Sequence, residues 1–274
     1  MTFENPVPQE ASSEQPGDLK IATAPRVYLV GRQDVDAAAI DQFLADEGAT
    51  WQTDSQVGAE RLAEVAGRVC YMSFGKGRKG NAEYLSHIIE VGHGSVLEHC
   101  AWNFIIAGVS RSFTHELVRH RAGFSYSQLS QRYVDESESE FVEPACIAAD
   151  PKLHGLWLKT VTESQSAYCT LSDALYETFA NVTDKTLRRK MARQAARSVL
   201  PNATETKIFV TANARALRHF IELRCNEHAE TEIRIVAGMV LRIMQTEAPA
   251  IFADYRFVDL PDGTQAATTE HRKV

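Results

Sequence analysis

An α+β fold rich in helix is what this sequence predicts, on three observations. Segments with helical apolar spacing follow one another through much of residues 58–247. The few strand-like segments stand apart, without the regular alternation of a βαβ array. The chain of 274 residues, 44% hydrophobic and 24% charged, can bury a substantial core in one large domain or two small ones.

Residues 1–25 hold four prolines with several Ser, Gln and acidic residues, too little apolar surface to order, and are expected to form a disordered leader. A strand is expected at 26–31 (RVYLVG), where β-branched and aromatic residues precede a glycine. Leu62, Val65, Ala66 and Val69 give a helical stripe across 58–72. Asn81 can cap a helix that buries Leu85, Ile88 and Ile89 and stops at Gly92. Alternating Trp102, Phe104 and Ile106 predict a strand over 101–107, and a helix is expected from about Ser110. Residues 152–181 and 184–199 read as helices, the second capped by Asp184 and stopped by Pro201. A strand at 206–212 then leads to helices near 214–226 and 229–247, and the polar stretch 261–274 is expected to be a flexible tail. One catalytic domain over 26–260 is the expected organisation.

A net charge of −7 argues against a general binder of nucleic acid or anionic membrane, so any anionic ligand needs a local basic cluster. No apolar run approaches a membrane span and no secretory leader is visible, so a cytoplasmic location is expected. Cys70, Cys100, Cys146, Cys169 and Cys225 form no CxxC pair and are expected to be small buried hydrophobes.

Segment 111–132, RSFTHELVRHRAGFSYSQLSQR, carries four arginines, two histidines and a single acid. On a continuous helix Arg111, His115 and Arg119 would share one stripe and Phe113 and Leu117 another. Arginine forks suit phosphate oxygens, and Ser125, Ser127, Gln128, Ser130 and Gln131 beyond a flexible Gly123 suit a polar base. A solvated basic face followed by a polar loop remains open from composition alone. In 213–228, Arg215, His219 and Glu222 share a stripe, while Arg224 falls on the apolar one. A guanidinium there either pairs with an anion in a pocket or snorkels to water from the helix end. GHGSVLEH at 92–99 offers two glycines and Ser95, a weak signal alone. There is no P-loop, no dinucleotide fingerprint and no nucleophile elbow, and His115 and His120 miss the metal-binding spacing, so no metal site is expected.

At these residues the chain resembles the flavin-dependent thymidylate synthases. Their Arg-His-Arg signature, followed by a spacer and Ser-x-Arg, reads here as Arg119-His120-Arg121, AGFSYSQL, Ser130-Gln131-Arg132, with a spacer one residue longer than the commonest form. AARSVLP at 195–201, NARALRHF at 213–220 and ELRCNEHAETEIR at 222–234 extend the likeness, in the family's order. The resemblance implies that family's fold, with a small mixed or antiparallel sheet and active sites at the subunit interfaces of a homotetramer. It implies dUMP methylation with FAD as cofactor and with NADPH and 5,10-methylenetetrahydrofolate as co-substrates. The flavin is then expected at Ser95, Arg119, His120, Arg121, Gln128, Asn213, Arg215 and His219. The nucleotide is expected at Glu116, Leu117, Val118, Arg119, Gln128, Leu129, Ser130, Gln131, Arg132, Arg197 and Arg224, the last as the activating cation. His93 and Glu98 are expected to line the flavin and folate region, with Tyr133 as a further wall. None of the cysteines lies in a context resembling the nucleophile motif of the conventional thymidylate synthases. The rival is a non-catalytic module that binds nucleotide or RNA phosphates through 111–132, with steep salt dependence and no flavin.

Overall fold

The computed structural model describes residues 19–22, 24–75 and 80–274. The strands are β1 (Lys20–Ile21), β2 (Arg26–Arg32), β3 (Ala101–Ser110), β4 (Phe124–Gln128), β5 (Glu140–Phe141), β6 (Glu205–Asn213), β7 (Arg256–Asp259) and β8 (Gln265–Thr268). The helices are α1 (Ala37–Asp46), α2 (Gly58–Val69), α3 (Asn81–Glu90), α4 (Arg111–Leu117), α5 (Ala145–Ala148), α6 (Pro151–Thr178), α7 (Lys185–Ala196), α8 (Ala214–Arg224), α9 (Thr231–Glu247) and α10 (Pro249–Phe252). Strands β2, β3, β6 and β4 form a sheet in that order, and β1–β5 and β7–β8 form two small ones, parallel and antiparallel. The helix-rich α+β class is therefore the one observed. Most of the expected leader lies outside the described residues, but Lys20 and Ile21 are paired to Glu140 and Phe141, so its last part is not free.

The chain divides into two compact units, each built from separated segments. One takes the described residues up to Tyr28, with 106–115 and 128–208; the other takes 29–105, 116–127 and 209–274. The two residue sets are interleaved along the chain. No helix among the described residues is long and apolar enough to cross a membrane.

In the first unit α6 and α7 pack together as a helical pair. Their starts follow from the sequence. Asp150 accepts from the amides of Lys152 and Leu153, and Asp184 from those of Thr186 and Leu187. In the second unit α8 lies against α9 and the 3-10 turn Gly94–His99, and α10 lies against α3 and α9. Trp102 meets Phe252 edge to face at 6.2 Å within this core.

Four local expectations are corrected. Gly80 precedes α3 and Asn81 does not cap it: the Asn81 side chain is buried and donates to the Glu60 carbonyl and to Glu64. In α2 the buried face is Ala59, Glu60, Ala63, Glu64, Gly67 and Arg68, and the stripe of Leu62, Val65, Ala66 and Val69 is left half-exposed or exposed. The inversion works because Glu64 is fully satisfied, accepting from Trp51, Thr53, Asn81 and Arg68. The stretch 261–274 is not loose: Gln265–Thr268 pairs with β7, and Lys273 N–H donates to Glu222. Of the cysteines, Cys100 and Cys225 are buried, but Cys70 and Cys146 are exposed, at the end of α2 and in the short α5.

Candidate active site

Helix α4 ends at Leu117, so Arg119 leaves the stripe that Arg111 and His115 would share with it. The chain then turns, Arg119 and His120 N–H donating to the carbonyls of Glu116 and Leu117. The Tyr126 hydroxyl lies 2.9 Å from the Leu117 carbonyl and 2.6 Å from that of His120, pinning this turn from β4. Residues 124–128, expected as polar loop, are a strand. Just before it the chain turns: Gly123 adopts φ +73°, and Phe124 N–H closes a turn on the Arg121 carbonyl. Gly123 is pressed onto Asn213 and Ala216 of the α8 start, and its carbonyl accepts from Asn213 N–H.

This geometry brings Arg119, His120 and Arg121 together with His219 and Arg224. With Ala122, Phe124, Ala216 and Leu223 they line a cavity of about 360 Å³ within the second unit. Arg224 closes α8 and does not snorkel freely. Its Nε–H donates to His120 Nε2 at 3.0 Å, and one terminal nitrogen meets the Glu116 carboxylate at 2.5 Å. His120 is 8% exposed and ringed by Phe124, His219 and Phe220. Burial, then the Arg224 and His219 charges, push its pKa down to about 4. The neutral ring therefore accepts on Nε2 and carries its proton on Nδ1.

The turn Gly94–His99 supplies a neighbouring group. Arg215 on α8 pairs with Glu98 at 2.5 Å, and the missing Cβ of Gly94 lets Arg215 pass close to its backbone. Ser95 and His93 are exposed in the same turn. Asn213 is occupied as the cap of α8, accepting from Ala216 N–H at 2.9 Å. Glu222 does not share the open face of Arg215 and His219. It is buried under residue 273. Leu117 is buried and Val118 exposed.

The first unit holds the remaining candidates. Arg111 donates to the Leu129 carbonyl at 2.9 Å, and Gln128 donates to Thr114 at 3.1 Å. Burial and the nearby Arg197 charge lower the Arg111 pKa, against the opposing Glu136. Buried Arg111 Nε, Gln131 Nε2 and Arg132 Nε have no hydrogen-bond partner among the described residues, nor has one oxygen of buried Glu136. Ser130 is half-buried with its hydroxyl turned towards Arg132 N–H, and Tyr133 is exposed over Lys190. Sequence reasoning missed Tyr126, Thr114 and Glu136, which act on backbone or across long sequence separations and leave no local pattern.

A profile for the family described as thymidylate synthase complementing protein matches residues 53–250. A flavin-dependent thymidylate synthase of Mycobacterium sp. (strain JLS) is 51% identical over 255 residues, spanning 90% of this chain and 96% of its own. Another, from Mycobacteroides abscessus, is 50% identical over 88% of this chain and 94% of its own. Among solved structures, a UMP/dUMP methylase, PolB from Streptomyces cacaoi bound with 5-Br UMP, aligns with a TM-score of 0.60. Its identity is 19%, over 86% of this chain and 95% of its own, a likeness of fold. With the Arg-His-Arg turn, the α8 cations and the matched profile in one frame, the chain belongs to the flavin-dependent thymidylate synthase family.

Proposed function

We propose that this chain converts dUMP to dTMP, taking the one-carbon unit from 5,10-methylenetetrahydrofolate and electrons from NADPH by way of FAD. The observation that carries the reading is Arg224, a permanent cation at the wall of a cavity where three arginines meet aromatic and aliphatic side chains. That lining fits a flat, electron-rich ring with anionic edges. A bound flavin supplies hydride transfer, which side chains cannot. The chain's own task is to hold and polarise the pyrimidine. Arg224 beside uracil N3 favours the N3-deprotonated ring and raises electron density at C5.

Arg119, His120, Arg121 and His219, with Ser95, Gln128, Asn213 and Arg215, are proposed to hold the flavin. Glu116 to Arg119, Gln128 to Arg132, Arg197 and Arg224 are proposed for the nucleotide. Arg111, Arg132 and Arg197 are proposed for its phosphate, because their planar forks suit phosphate oxygens. Ser130 is proposed to position the base, since among the described residues its hydroxyl is seen only accepting from Arg132 N–H. His93 and Glu98 are proposed for the folate side. A homotetramer with shared active sites is proposed on two grounds. The cavity, at about 360 Å³, is near the low end of the ~300–1,000 Å³ of ligand sites, so a flavin with a nucleotide would extend beyond it. The apolar face of α2, continued by Tyr71 and Met72, is also left open to a partner surface.

The test is anaerobic: follow NADPH-driven bleaching of FAD with and without dUMP, then add the folate and assay dTMP. Bleaching that dUMP promotes, with reoxidation coupled to dTMP, is the expected result; a flavin cycle indifferent to both compounds rejects the reading. In the same assay Arg224→Ala should abolish turnover, whereas Ser130→Ala should keep a measurable fraction. UMP in place of dUMP reads the sugar preference.

A further inference from the structure

Arg224 has five N–H donors, and the structure commits three of them. Nε–H goes to His120 Nε2, one terminal nitrogen to the Glu116 carboxylate, and the other, at 3.4 Å, to the Glu116 carbonyl. Each terminal nitrogen is left with one donor. His120 cannot swing away, because three rings surround it and its own carbonyl is pinned by Tyr126. Glu116 is anchored by the last turn of α4 and does not itself line the cavity. A guanidinium with both ends of one edge tied is fixed in plane as well as in place.

We propose that His120 and Glu116 are the positioning residues of Arg224, clamping its plane so that one N–H donor on each terminal nitrogen is left for an imide-type acceptor such as the O2 and N3 side of uracil. This rests on the reading that the cavity takes a uracil nucleotide. His120 then acts through its acceptor nitrogen, a role beyond contact with cofactor, and Glu116 acts as a hydrogen-bond acceptor for Arg224 in addition to its proposed place at the nucleotide. The assignment separates shape from charge. An amide oxygen at either position preserves the clamp, and alanine destroys it.

The experiment compares flavin-loaded wild type with His120→Gln, His120→Ala, Glu116→Gln and Glu116→Ala, each with a melting curve to confirm folding. Single-turnover dTMP formation gives the rate, and calorimetry gives the dUMP dissociation constant. The alanine variants should lose about 100-fold in rate, the scale of a misplaced catalytic group. The dUMP affinity of His120→Ala should change by less than ~10-fold, and each glutamine variant should regain at least ~20-fold in rate over its alanine counterpart, since the lost term is alignment. Arginine-labelled 15N spectra read the clamp without turnover. The Nε–H signal of Arg224, identified by its loss in Arg224→Lys, should be protected in wild type and His120→Gln and exchange freely in His120→Ala. An alanine variant with wild-type rate, or a glutamine variant as poor as its alanine counterpart, overturns the proposal. So does an Nε–H that His120→Ala leaves protected. Wild-type protein that makes no dTMP refutes the reaction instead, and the spectra still decide the clamp.

Discussion

At the scale of single residues, His120 holds its pKa near 4 because its imidazole is buried beside Arg224 and His219 and its Nε2 is already an acceptor. The unfolded chain restores a histidine pKa of about 6.5. Between these values the unfolded state binds the proton and the native state does not, so stability rises with pH across that window. The full contribution is present above about pH 6.5 and is lost as pH falls towards 4, up to roughly 3 kcal/mol from this group. Urea midpoints at pH 7.5 and 5 should therefore differ more in wild type than in His120→Gln, which has no titrating ring. Equal pH dependence in both proteins would contradict this assignment. Arg224 is half legible in the sequence: its place on an apolar stripe announces a paired guanidinium. The partner is not legible, because Glu116 stands 108 residues away in the chain and meets it only through the fold.

At the scale of elements, the signature is legible as composition and illegible as geometry. A continuous helix through Arg111 and Arg119 is the natural reading of their spacing, yet α4 stops at Leu117. Past that point the Tyr126 hydroxyl sits against the Leu117 and His120 carbonyls and holds the turn that replaces the next helical turn. The face of α2 is read wrongly for a related reason, since a buried carboxylate that accepts four hydrogen bonds can outcompete an apolar stripe for the interior. Starts of helices fare better, because Asp150, Asp184 and Asn213 cap with their own side chains. The turn at Gly123 gives an element-level prediction. An alanine there must adopt a left-handed φ and meet Asn213 and Ala216 at about 2.7 Å. The combined strain and overlap should destabilise by about 2–4 kcal/mol. The loss should appear in urea unfolding, together with a lower affinity for FAD as the Arg121 turn shifts.

Over the whole molecule, composition sets the class correctly and misjudges residues 261–274. Residues 261–274 contain little to bury, so they read as a tail, but the second unit needs them as hydrogen-bond partners. Arg218 is completely buried and makes two bonds to Asp254, at 2.7 and 2.8 Å. It also donates to the carbonyls of Ile251 and His271. Burial raises the Asp254 pKa, but the Arg218 bonds outweigh it and hold the carboxyl below its ordinary value. Arg218→Ala leaves that carboxylate without its counter-charge and should cost roughly 3–5 kcal/mol in chemical denaturation. Arg218→Met with Asp254→Leu should recover part of the loss, because removing both charges removes the desolvation penalty. The same strapping changes how solvent reaches the last stretch of the second unit. The Lys273 amide is bound to Glu222 and the His271 amide to Thr269, so in heavy water these two amides should exchange more slowly than those of a free peptide of the same composition. Their deuterium uptake should quicken in step with loss of Arg218, a reporter of core integrity read from a place where fraying is the ordinary behaviour.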